Sequence, residues 1–232
     1  MVGLEIDAFI AKWRESGGSE RANFQSFANA LCTLLGVPLP DGSTAHATGD
    51  SYCFERPVSF LHKSDQDKGF IDLYRAGHFV MEAKQGINPT DTTQPGLALA
   101  PAPKPARKGH GTRGTPGWFK TMERARNQAD DYARAVARDD GWPPFLIIVD
   151  VGHMIELWAD FSGQGQGYTQ FPDGRSFRIM LEDLRDPAIR ERLRKVWEEP
   201  QSLDPARISA KVTRAVAERL AALGKSLRGR AT

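Results

Sequence analysis

Nine residues from Pro143 to Val151, PPFLIIVDV, constrain this chain more than any other stretch. The run is continuous, apolar and β-branched, and far too short to span a bilayer. With no polar alternation, it reads as a strand buried on both faces. Such a strand calls for helices on both sides of its sheet, so the expected class is α/β in the broad sense (α+β), a mixed central sheet flanked by helices.

The helices follow from apolar period. Ile6, Phe9, Ile10 and Trp13 recur at helical spacing across Leu4 to Trp13 and stop at Gly17-Gly18. Ser19 is the expected N-cap of a second helix that runs through Phe24, Phe27, Ala28, Leu31 and Leu35 to Gly36, with Pro38 and Pro40 preventing continuation. A long helix is expected from about Trp118 to Arg138, because Trp118, Met122, Ala125, Ala129, Tyr132 and Val136 form one stripe that Gly141 and Pro143 end. Two more should cover Pro187 to Glu198 and Asp204 to about Leu227, the second with Asp204 as N-cap and Pro205 at its first position.

Tyr52 to Phe60, Gly69 to Tyr74 and Phe79 to Lys84 read as an antiparallel meander, and HMIELWADF after the nine-residue run adds another strand. Between Gln85 and Gly117 the chain turns to Pro, Gly, Thr and Ala, a composition expected of a mobile loop. Its cations Lys104, Arg107, Lys108 and Arg113 can reach phosphates or serve a solvated linker. The expected organisation is a core over residues 1–180, with the loop at 85–117, and a helical tail over 181–232.

Composition excludes several functions. Basic and acidic residues number 31 and 29, a net charge of +2, so nucleic-acid binding would need local patches. Cys32 and Cys53 lack partners at metal-ligand spacing, and Cys32, inside ALCTLLG, reads as a small buried hydrophobe. The five histidines are scattered and no Gly-x-Ser-x-Gly turn occurs, which argues against a histidine metal site and serine hydrolysis. The N-terminus lacks a basic region followed by a long apolar one, so the expected compartment is the cytoplasm, with no membrane partner.

Chemistry concentrates at Glu82-Ala83-Lys84, the only place where an acid precedes a lysine by two, with Asp72 ten positions upstream on the preceding strand. Side chains two apart on a strand share a face, so Glu82 and Lys84 project together. Phosphodiester hydrolysis needs a hard divalent cation, and Mg²⁺ or Mn²⁺ suits carboxylate and carbonyl oxygens. Asp72, Glu82 and the Ala83 carbonyl are the candidate ligands, and Lys84 the group that stabilises the transition state or positions water. Asp72 faces Glu82 only if the hairpin loop has an odd count, as with Ala76-Gly77-His78; a two-residue loop would pair Asp72 with Met81.

FIDLY at 70–74 and FVMEAK at 79–84 resemble the PD-(D/E)XK nucleases. QADDY, with Gln128 and Tyr132 one helical turn apart, looks like the Gln-x-x-x-Tyr element of RecB-like members, which implies that both residues lie near the active site. Glu20 stands where many members carry a further metal-binding acid. More narrowly, ERANFQSFANALCTLLGVPLP, QADDYARAV, PPFLIIVD and LDPARISAKVTRAVAERLAALGKSL resemble the N-terminal region of MmeI-like restriction-modification proteins and related anti-phage defence methyltransferases.

That resemblance implies a Mg²⁺-dependent DNA endonuclease domain, continued covalently by a helical spacer, an adenine methyltransferase and a target-recognition domain. The Asp204 helix resembles the start of the spacer. S-adenosylmethionine would be needed only in domains outside this chain, since no glycine-rich turn here suits it. The alternatives are a catalytically silent DNA-binding or scaffolding domain of an adenine-specific methyltransferase, and a nuclease for RNA or single strands.

Overall fold

The structure, a computed structural model, describes residues 2–16, 20–41, 50–60, 68–88 and 111–228. The expected N-cap Ser19 and the cations Lys104, Arg107 and Lys108 lie outside the described residues.

The chain opens with helices α1 (Val2–Arg14) and α2 (Glu20–Leu35), and Gly36 ends α2 with φ +69°. Strands β1 (Tyr52–Ser59), β2 (Lys68–Arg75) and β3 (Phe79–Lys84) follow as the expected meander. Helix α3 (Pro116–Asp140) begins on its N-cap Thr115, whose side chain accepts from the Trp118 amide, and ends at Gly141. Strands β4 (Phe145–Asp150), β5 (Met154–Ala159), β6 (Thr169–Gln170) and β7 (Arg178–Met180) complete the sheet. A 3₁₀ turn over Leu181–Arg185 leads to α4 (Pro187–Glu198), and another over Pro200–Leu203 leads to α5 (Pro205–Arg228).

One mixed sheet results, in the order β1-β2-β3-β4-β5-β6 with β7 beside β5. The β3–β4 pair is parallel and the other pairs are antiparallel. Residue alternation along β4 sends Phe145, Ile147 and Val149 to one core cluster and Leu146 and Ile148 to the other, which is why the run carries no polar position before Asp150. The first cluster is filled from α1, α2 and α4, the second from α3, so the architecture is an α+β sandwich with helices on both faces.

Three expectations need correction. Residues 85–88 and 111–117, assigned to the mobile loop, are tied together by an Ile87–Thr112 bridge and backbone bonds between Ile87 and both Gly111 and Arg113. Arg113, expected among the loop's phosphate-reaching cations, is only 9% exposed, because its guanidinium is consumed by Asp150. The core also extends past residue 180: Leu184, Leu193, Val196 and Trp197 are fully buried in the first cluster, and Trp197 Nε1 donates to Tyr52 Oη at 3.0 Å. An amphipathic helix reads alike whether it packs on a core or on a later domain. Helix α5 leaves the core: every described side chain from Pro205 to Leu223 is exposed.

Candidate active site

The hairpin turn decides where the acids go. Arg75 pairs with Phe79, Tyr74 with Val80 and Leu73 with Met81, so Ala76, Gly77 and His78 form a three-residue loop, with Gly77 at φ +69°. That is the odd count, which by extension of the register sets Asp72 opposite Glu82. The ladder itself stops at Leu73–Met81. Beyond it the Ala83 amide donates to Asp72 Oδ2 at 2.8 Å, so a carboxylate takes the place of a backbone acceptor.

The cause lies in β1. Among the described residues Glu55 is the one non-glycine residue with φ in the left-handed region, +54°, and it falls between the Phe54–Leu73 and Arg56–Ile71 pairs, opposite Asp72. Such a conformation is uncommon for a side-chain-bearing residue and breaks regular pleating. Side-chain alternation slips there: Leu73 belongs to the α1/α2/α4 cluster, yet Ile71 and Tyr74 both belong to the α3 cluster.

On β3 the alternation is regular. Phe79, Met81 and Ala83 enter the first cluster and Val80 the second, so Glu82 and Lys84 share the α3 face. Glu82 is 2% exposed, and Lys84 Nζ donates to its Oε1 at 2.6 Å, the lysine side chain retaining 14% exposure.

Helix α3 covers this face. Gln128 Nε2 donates to Tyr132 Oη at 2.8 Å, and the Tyr132 ring stacks on Phe60 with centroids 5.9 Å apart. Burial pushes the Tyr132 phenol above its ordinary range; the Gln128 bond and the Phe70 amide pull it down, and the charges of Glu82 and Asp72 push it up. Both carboxylates therefore act on one phenol. Gly69 makes this approach possible, since a Cβ there would stand 2.5 Å from Tyr132 Cε1.

Asp72, Glu82, Lys84, Gln128 and Tyr132 are thus brought together at one end of the sheet, and Ala83 contributes backbone. Glu20 begins α2, and its side chain lies outside the described residues. One turn along α2, Asn23 Nδ2 donates to Gln85 Oε1 at 3.3 Å, which brings the start of that helix beside the end of β3. Among the described residues no group of three or more His, Cys, Asp or Glu side chains is arranged to hold a metal. Asp72 and Glu82 offer carboxylate oxygens, the donor type that a hard cation such as Mg²⁺ prefers.

One buried cluster beside the site was not foreseen. Asp150 is the parallel-ladder partner of Lys84 and is wholly buried. It accepts from the Gly86 amide (2.9 Å), Arg113 Nε (3.0 Å), Arg113 Nη2 (2.8 Å) and Trp118 Nε1 (2.7 Å). Arg113 also reaches the Val151 carbonyl and Asn88. A lone acid ending an apolar strand is the available signal, because a buried carboxylate needs donors.

His153 borders this cluster. Burial, then the Arg113 guanidinium, hold its imidazole below its ordinary value; Arg178 adds to that, while Asp150 and Glu182 oppose it. The unfolded chain takes the proton more readily, so this stability is present above about pH 6.5 and is lost as pH falls toward the folded-state value. The urea midpoint should fall between about pH 7 and about pH 5, and His153→Gln should flatten that fall. An identical fall in the variant would discard the assignment.

No helix among the described residues is long and apolar enough to cross a membrane. No curated protein and no solved structure matches the chain. A family model described as "MmeI, N-terminal domain" matches residues 1–230, nearly the whole chain. The chain therefore belongs to the family of MmeI N-terminal domains, the restriction-modification family that its motifs resemble.

Proposed function

We propose that this chain is a PD-(D/E)XK-type, metal-dependent endonuclease domain that hydrolyses DNA phosphodiester bonds, in a restriction-modification protein that also carries an adenine DNA methyltransferase. The observation that carries this reading is the convergence of Asp72, Glu82 and Lys84 with Tyr132 at one end of the sheet. Asp72 and Glu82 would hold Mg²⁺ or Mn²⁺, with the Ala83 carbonyl and Glu20 as further donors. The bound cation supplies charge neutralisation at the phosphate and a more acidic water.

The chain's own residues do the rest. Glu82, anchored on a central strand, keeps the Lys84 ammonium on the reacting face, where it meets charge that develops on the phosphate. Gln128 fixes the Tyr132 hydroxyl, and the two close the α3 side of the site against bulk water. A buried ion pair is no better for stability than apolar residues of equal volume. Such a pair beside a second acid therefore favours chemistry over the silent scaffolding alternative.

The test is supercoiled plasmid incubated with the chain and Mg²⁺ or Mn²⁺, beside chelator, with single-stranded DNA and RNA in parallel. Metal-dependent nicking or linearisation is expected, reduced about 10²–10³-fold in Asp72→Asn. Cutting that survives in Asp72→Asn overturns the mechanism. DNA binding by the wild type without cutting in either metal moves the reading to the silent domain, and preference for single strands or RNA revises the substrate.

A further inference from the structure

The flank of α3 that carries Gln128 differs in charge from the opposite flank. On the opposite flank Arg126 and Arg134 each stand four positions from Asp130 and pair with it, and their guanidinium groups lie over Trp158 and Trp142. Arg124 has no such partner on its helix: the residues three and four positions away are Lys120, Thr121, Asn127 and Gln128, none of them acidic. Lys120, Arg124 and Asn127 are exposed, and neither cation forms an ion pair among the described residues. The Asn127 carbonyl oxygen accepts from Arg126 Nη1 at 2.9 Å, so its amide hydrogens are what that side chain offers outward. Gln128 donates one amide hydrogen to Tyr132 Oη and keeps a second.

We propose that this flank is the track along which the backbone of the DNA strand enters the candidate active site, with Arg124 as the positioning residue that binds a phosphate beside the one being cleaved. The proposal rests on the nuclease reading above. Placement supports it from both ends. Trp118, six positions before Arg124, donates to Asp150, the ladder partner of Lys84, and Tyr132, eight positions after it, stands in the site with Gln128. Arg124 therefore lies between two points at which α3 meets the site, and one helical turn, about 5–6 Å, from Gln128. Lys120 and Arg124, also one turn apart, repel each other, a cost that a phosphate bound between them removes.

The chemistry of the flank selects the occupant. Donors without an apolar row suit a phosphodiester backbone, which takes contacts from Arg, Lys, Asn and Gln side chains. A protein partner would want an apolar centre, and the exposed Phe119 lies on the opposite flank, its ring against Trp118 and Arg178. The nearby acids mark the limits of the track. Glu123, three positions from Lys120, projects about 100° round the helix from Arg124, and Asp131 lies about two turns beyond Arg124. With a net charge of +2 the chain exerts no diffuse attraction on DNA, so a local row of this kind must carry the phosphate contacts.

The experiment titrates the whole chain into a short labelled DNA duplex, by fluorescence anisotropy in chelator across a series of salt concentrations, and scores plasmid cutting separately. Arg124→Ala should weaken binding roughly tenfold and make the slope of log affinity against log salt shallower by about one. Arg124→Lys keeps the charge and should keep the slope. Arg138→Ala, which removes an exposed cation near the far end of α3, should change neither quantity. In cutting, Arg124→Ala should raise KM and leave kcat nearly unchanged. An unchanged slope in Arg124→Ala, an equal loss in Arg138→Ala, a fall confined to kcat, or no duplex binding by the wild type at low salt overturns the proposal. Cutting by the wild type with an unchanged Arg124→Ala slope sinks the track and spares the nuclease reading. A shallower slope without cutting by the wild type in Mg²⁺ or Mn²⁺ keeps Arg124 as a backbone contact and fails that reading instead.

Discussion

Asp150→Ala should lower the unfolding free energy by about 3–5 kcal/mol, a large share of the 5–15 kcal/mol that holds a typical domain together. The magnitude follows from what stays behind. Arg113, 9% exposed, would keep a buried guanidinium whose two strongest bonds are gone, and the Trp118 indole and Gly86 amide would lose their acceptor at the same moment. Asp150→Asn retains an acceptor without the charge, so its loss should be smaller. Arg113→Met with Asp150→Leu removes both charges and should recover part of the stability. Urea denaturation followed by tryptophan fluorescence measures all three. A loss below about 1 kcal/mol for Asp150→Ala would mean that water replaces the carboxylate and that the cluster is no clasp.

Lys84→Met should reduce plasmid cleavage about 10²–10³-fold, the usual effect of removing one group that stabilises transition-state charge. It should also cost roughly 1.5–3 kcal/mol of stability, because the charged hydrogen bond to buried Glu82 disappears. The two effects separate in the double variant Glu82→Gln with Lys84→Met. Removing both members of a buried pair is close to neutral for folding, so stability should return while cleavage should not. Cleavage that returned with stability would reduce the pair to scaffolding.

The parts of this molecule that could be read from sequence are those whose signal is local. The α3 stripe from Trp118 to Val136, the doubly buried β4 and the β1–β3 meander each carry their own period or turn signal. Strands β6 and β7 span two and three residues, too few to show any period. Asp150 illustrates the other limit: its donors come from residues 86, 113 and 118, which only the fold brings together. Arg113 was misread for the same reason, since a cation in a Gly/Pro-rich stretch looks solvated until its partner is known. The register that opposes Asp72 to Glu82 was one of two that the hairpin loop left open, and the slip at Glu55 that turns Asp72 toward the Ala83 amide was not legible at all, because left-handed backbone at a glutamate leaves no mark in composition.

The two acids also differ in mechanical support. Strand β3 is clamped along both edges, to β2 as far as Met81 and to β4 through Lys84, with Val151 N–H donating to the Lys84 carbonyl at 2.8 Å. Past Leu73 the β2 segment that carries Asp72 keeps a backbone ladder to β1 and none to β3, which it meets through the Asp72 carboxylate on the Ala83 amide. Glu82 therefore rides on one of the stiffest beams of the sheet, and Asp72 on a cantilever anchored at Leu73–Met81. A ligand that drew the two carboxylates together would therefore be expected to move Asp72 more than Glu82.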